Sequence, residues 1–161
     1  MTRQQSIEQF LYRVAELCDD QEWDGYLAQF APECEFHIPQ WKGEHEITVD
    51  PKREMSLMYY PDRTGIEDRV FRIRTGKSAA CTPMPRTLHL IGNVRCSDRE
   101  DGQVQVRVNW VTHFHRFGES GHFFGTADYT LRDAVDGWQI TRKHTVLHND
   151  RIDSVLDFYH V

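Results

Sequence analysis

From residue 86 the chain reads as four alternating runs, 86–97, 103–117, 121–132 and 137–148, separated by the Gly- and Asp-rich stretches "DREDG", "GESG" and "DAVDG". A period of two marks strands with one buried face, and such short turns join antiparallel neighbours. Before residue 86 the spacing is mainly helical. Helices first and hairpins afterwards predict an α+β fold, with N-terminal helices packed in a strongly curved antiparallel sheet. At 161 residues the chain is expected to form one domain spanning 1–161. A domain of that size buries roughly 70% of the surface its unfolded chain exposes, so its core needs no disulfide.

In the first half, Ile7, Phe10, Leu11, Val14, Leu17 and Cys18 recur at helical spacing. After Asp19 and Asp20, the residues Trp23, Tyr26, Leu27 and Phe30 predict a shorter second helix ended by Pro32. "CEFHI" alternates and reads as a strand stopping at Pro39. "DPKREMSLMYY" reads as a third helix, with Asp50 as N-cap and Pro51 at the first helical position. In "TGIEDRVFRIRTG", Thr64 and Glu67 suggest a capping box, Ile66, Val70 and Ile73 share a face, and Gly76 sits where a helix ends. Glu67 and Asp68 near its start and Arg72 and Arg74 near its end suit the helix dipole.

The formal charge of −6 argues against nucleic acid, whose phosphates need clustered Lys and Arg. No apolar run is long enough to span a membrane, and "MTRQQSIEQF" lacks the basic-then-apolar build of a signal peptide, so a cytoplasmic protein is expected. Cys18, Cys34, Cys81 and Cys96 are widely spaced and contain no C-x-x-C pair, so they read as buried hydrophobes.

The pair of histidines in "NWVTHFHRF" could hold a metal or face solvent or a partner. Val104, Val106, Val108, Trp110 and Phe114 share one face of this run, and Arg107, Asn109, Val111, His113, His115 and Phe117 the other. Residues two apart lie about 7 Å from each other along a strand. A metal would need a further ligand, for which His122 is a candidate that nothing in the spacing requires. Ile91, Val111, Phe117, Phe124 and Leu147 are read on the sides of their runs opposite the apolar stripes. That many large apolar groups on a polar face suit an interface better than open solvent. Arg69 and Arg72, on the arginine-rich helix, join the candidate interface set of Val111, His113, His115, Phe117 and Phe124. Acid–base chemistry in the mouth of a cone-shaped fold is the competing reading, with His37, Asp128, Tyr129 and His144 as the residue types for it. That reading makes the chain a free-standing isomerase or dehydratase; a homo-oligomeric binding module is a third. No phosphate loop, G-x-S-x-G elbow or H-E-x-x-H is present.

The segments "AELCDDQEWDGYLAQF", "MSLMYYPDR", "IEDRVFRIRTG", "PRTLHLIGNV", "FGTADYTL" and "LHNDRIDSVLDFYHV", in this order, resemble the small (beta) subunit of bacterial aromatic-ring-hydroxylating dioxygenases over nearly the whole chain. The final segment and "DPKREMSLMYY" are most similar to the benzoate, toluate and anthranilate branch, and "EFHIPQW" and "TPMPRTLHLI" favour anthranilate as substrate, with benzoate next. The resemblance implies a cone fold like that of nuclear transport factor 2 and ketosteroid isomerase. It also implies a large (alpha) subunit carrying a Rieske two-iron cluster and a mononuclear iron, a heterohexamer of both subunit types, and a separate reductase passing electrons from NADH. Anthranilate dioxygenation yields catechol with loss of carbon dioxide and ammonia. The residues themselves suit a division of labour. A Rieske centre needs two Cys and two His in paired motifs, and Cys34-x-x-His37 has no companion. No metal, cofactor or catalytic residue is therefore assigned to this chain, whose expected role is to support assembly.

Overall fold

The computed structural model describes the backbone of residues 1–161 and every side chain except that of Ala80. Helices α1 (Arg3–Asp19) and α2 (Trp23–Ala28) precede strand β1 (Phe30–Pro39). Strand β2 (Ser56–Tyr60) and helix α3 (Thr64–Thr75) follow, then β3 (Arg86–Asp98), β4 (Val104–Arg116), β5 (Glu119–Ala134) and β6 (Gly137–Leu147). Single 3-10 turns lie at Ala79–Cys81 and Phe158–His160. The six strands form one sheet in the order β2-β1-β6-β5-β4-β3. β3 to β6 form the antiparallel meander that the alternation predicts, whereas β1 runs parallel to β6.

The helices fill the concave side. Ile7, Leu11, Val14, Leu17 and Cys18 of α1 are buried, as the 3.6-residue spacing requires. They belong to one core with Val104, Val106, Val108 and Trp110 of β4 and with Phe158 and Tyr159 near the end of the chain. Trp23, Tyr26, Phe30 and Phe158 form an aromatic cluster, edge-to-face for Trp23–Phe158 and for Tyr26–Phe30 at 4.9 Å between ring centroids and tilted for Tyr26–Phe158. No helix is long and apolar enough to cross a membrane.

Three local expectations change. The second helix stops at Ala28, and Phe30 already pairs with Ile140 in the sheet. Pro32 lies within β1, in the interval between Phe30 and Glu35 where pairing with β6 is interrupted, so its missing N–H leaves no ladder bond unmade. Its carbonyl accepts the Arg63 N–H at 3.1 Å.

"DPKREMSLMYY" forms one turn and then a strand. Asp50 behaves as the sequence suggests: its carboxylate accepts the Lys52 N–H at 2.9 Å. Glu54 closes that turn by accepting the N–H groups of Val49 and Asp50. These bonds and Lys42 hold the Glu54 carboxyl down at about 2. Beyond the turn, Met58, Tyr59 and Tyr60 pair with Ile38, His37 and Phe36 of β1, and a sheet-edge ladder displaces the helix.

Helix α3 begins with Arg63 as N-cap and no side-chain cap bond, so the Thr64–Glu67 box is not made. The Thr64 N–H goes to Asp62, and Glu67 instead accepts from Arg63 Nε at 2.6 Å. Gly76 adopts the left-handed conformation expected of a helix-ending glycine.

Candidate functional site

Two β-bulges decide what the outer, convex face presents. On β3, Gly92 pairs with Asn109 and Arg95 with Arg107, so two residues oppose one, and Asn93 has φ of 52°. Alternation therefore changes phase midway along β3. Leu88 and Leu90 point outward, 56% and 53% exposed, while Thr87, His89 and Ile91 turn inward. On β6 the register slips at Thr141, between the Ile140–Leu131 and Arg142–Thr130 pairs, which turns Lys143, Thr145 and Leu147 inward. Ile91 and Leu147 are thus not outer-face residues. The Gly-Asn pair at residues 92–93, inside an otherwise alternating run, was the available signal for the first inversion.

The outer face carries two rungs across β3, β4 and β5. Leu90, Val111 and Phe124 are directly opposed in register, as are Leu88, His113 and His122. Phe124 is 40% exposed, and its ring lies 5.8 Å from those of both His122 and His148. This is an apolar centre, Leu88, Leu90, Val111 and Phe124, bordered by histidines.

The sequence-predicted residues divide around it. Val111, His113 and Phe124 are in the patch, and His115 is next to it, bonded through Nδ1 to Ser120 Oγ at 2.7 Å. Phe117 is not on the strand face. With Gly118 it forms the two-residue turn of the β4–β5 hairpin, where both φ angles are positive at 52° and 76°. Such a turn matches the strand twist, and it leaves the Phe117 ring 74% exposed at the tip, with the Arg116 guanidinium 4.6 Å from its centroid. Arg69 is engaged within the chain by the carboxylate of Asp157. Arg72 is exposed on α3 beside the exposed Phe71. Leu88, Leu90 and His148, which the sequence reading did not single out, complete the patch with His122, read there only as a possible further metal ligand.

Three of the four acid–base candidates do align. Asp128, His144 and His37 occupy one row across β5, β6 and β1, flanked by Arg107 on β4 and Tyr59 on β2. They have other partners. Asp128 accepts from Arg107 at 3.1 Å, and His37 Nε2 is 3.0 Å from Ser56 Oγ. Burial, Arg142 and His37 together push His144 down to about 4, so it is neutral at pH 7. Tyr129 is on the opposite, inner side of the sheet, so the four do not converge. The cone interior is filled by the chain's own Phe158, Tyr159, His160 and Val161.

The metal-binding residue types do not suit an iron centre either. Among the described residues, no three His, Cys, Asp or Glu side chains converge in a way that could hold a metal. Burial pushes the Cys34 thiol up to about 12, against the thiolate that iron requires, and neighbouring His37 is bonded to Ser56. A Rieske cluster does not fit these residues.

A profile of the ring hydroxylating beta subunit family matches residues 13–154. The chain is 52% identical over 156 residues to the anthranilate 1,2-dioxygenase small subunit of Acinetobacter baylyi, covering 97% of this chain and 96% of that protein. The crystal structure of the benzoate 1,2-dioxygenase beta subunit from Burkholderia mallei is similar at 37% identity and a TM-score of 0.80, covering 96% of this chain and 95% of that one. An NTF2-like protein with a cystatin-like fold from Novosphingobium aromaticivorans is 14% identical, with a TM-score of 0.61 over 93% of this chain and 84% of its own. That last likeness is one of fold alone.

Proposed function

The chain belongs to the ring hydroxylating beta subunit family, and from that premise we propose that it is a non-catalytic subunit supporting the large subunit of an aromatic-carboxylate dioxygenase. Anthranilate, converted to catechol, is the favoured substrate and benzoate the next, by similarity to relatives acting on those acids. The large (alpha) subunit carries the Rieske two-iron cluster and the mononuclear iron, and a separate reductase delivers electrons from NADH. The assembly is a cytoplasmic heterohexamer of both subunit types.

The observation that carries the structural role is the outward apolar ladder Leu90–Val111–Phe124, beside Leu88 and His113. A sheet whose inner face is filled by its own helices has no internal reason to place these side chains outside. An interface with another subunit supplies one, because burying apolar surface stabilises by roughly 25 cal/mol per Å². Phe117 at the hairpin tip and Arg72 with Phe71 on α3 are proposed as further contacts. Arg69 is assigned to intrachain support.

Co-expression with the large subunit tests this reading. A mixed complex should elute together on gel filtration, contain iron, and oxidise anthranilate faster than benzoate when supplied with reductase and NADH. A chain that never co-elutes with the large subunit, or that turns over an aromatic acid alone, overturns it.

A further inference from the structure

Three buried side-chain atoms that lack a protein partner belong to residues around one small internal cavity. Tyr26 Oη, His89 Nε2 and Thr145 Oγ1 are each buried without a hydrogen bond. Tyr26 on α2, His89 on β3 and Thr145 on β6 line a space of about 20 Å³, together with Lys143 and Val161. An unsatisfied buried polar group is destabilising, so three at one place call for a common partner.

The chemistry of the lining is well defined. His89 Nδ1 is 2.5 Å from Asp19 Oδ1 on α1, and its side chain is 7% exposed. The same carboxylate accepts the His89 backbone N–H at 2.9 Å and the Thr87 hydroxyl at 2.8 Å. Burial by itself would raise the Asp19 carboxyl, but the bonds from His89 and Thr87 outweigh it and hold the group below its ordinary value. An ionised carboxylate only accepts, so Nδ1 carries a ring hydrogen, and Nε2 is left to bond a further partner. Lys143 Nζ donates to the Val161 carbonyl at 3.0 Å and keeps further N–H donors. The hydroxyls of Tyr26 and Thr145 can each donate and accept.

We propose that this cavity is a binding site for a single water molecule, held by His89 Nε2, the hydroxyls of Tyr26 and Thr145, and Lys143. Size and polarity both select that ligand. One water needs roughly 10–15 Å³ of such space and two to four polar partners, and about 20 Å³ with four polar groups satisfies both while excluding any organic substrate. The water ties α2 to β3 and β6, while Asp19 ties α1 to the same histidine. The water occupies Nε2, so the His89–Asp19 pair joins helices to sheet.

Thermal unfolding of the full chain distinguishes a bridged site from unpaired hydroxyls. Tyr26→Phe and Thr145→Val each remove one hydroxyl and little else. If the water bridges them, each should lower Tm by roughly 2–4 °C. Unpaired hydroxyls predict the opposite, an unchanged or higher Tm. Thr112→Val is the control, because its buried hydroxyl is also unpartnered but does not line this cavity. A crystal structure of the chain or its complex gives a second readout, with an ordered water expected about 3 Å from His89 Nε2. A Tm that stays level or rises in both variants, or empty density beside Nε2, overturns the proposal.

Discussion

Arg69 on α3 grips Asp157, 88 residues further along the chain, through two hydrogen bonds, Nε to Oδ1 at 3.3 Å and Nη2 to Oδ2. The carboxylate is only 2% exposed and also caps the turn at Phe158–His160 by accepting the Phe158 N–H at 2.8 Å. The pair therefore holds the segment that fills the cone interior.

Arg69→Ala should lower the unfolding free energy by on the order of 3 kcal/mol, because it leaves a buried carboxylate without its cation. Arg72→Ala, on the same helix but exposed, should change it by no more than about 0.5 kcal/mol. Urea midpoints of the two variants check this, and equal effects would contradict the assignment of Arg69 to intrachain support.

Acid should destabilise the chain through His160. Burial, with His89 nearby, pushes this imidazole down to about 4 from an ordinary 6.5. A base with a depressed folded pKa stabilises the fold fully above the unfolded value. That contribution is lost as pH falls from about 6.5 to about 4, where the unfolded state binds the extra proton. The loss is on the order of 3 kcal/mol for His160, and His144 adds to it in the same direction. His160→Gln should flatten the dependence of stability on pH between 7 and 4.5; an unchanged slope would mean that His160 is not its source.

The outer patch should matter to assembly and not to folding. Phe124→Ala and Phe117→Ala are each expected to weaken binding of the large subunit. At a hot spot the loss is about 2 kcal/mol, on the order of thirtyfold in affinity. Circular dichroism of the isolated variants should match the parent, since neither ring belongs to the buried core. His113→Ala and His115→Ala should have smaller effects and leave oxygenation intact in complexes that form. An assembled but inactive histidine variant would sink the reading of this face as an interface.

The chain expressed without its partner should contain no stoichiometric iron, because the cysteines are dispersed and three of the four are buried. Metal analysis of the purified protein is the check, and near-equimolar iron would require a site that these residues do not suggest.

Local periodicity was enough to determine the helix at Arg3–Asp19, the meander of β3 to β6, its turns and the glycine that ends α3, because each depends on neighbouring residues. The same sequence reading placed Val111, His113, His115 and Phe124 together on one side of the sheet, since those strand segments keep strict alternation. Tertiary structure decided the rest. "SLMYY" became a strand because β1 offered it an edge, which stopped the helix after the single turn that Asp50 caps. Bulges at Asn93–Val94 and at Thr141 inverted the phase of β3 and β6, sending Leu88 and Leu90 outward and His89, Lys143, Thr145 and Leu147 inward. Asp19 meets His89 across 70 residues, and Arg69 meets Asp157 across 88. Such contacts arise only when the sheet curls around its helices, since a bulge or a long-range ion pair gains its energy from partners remote in sequence.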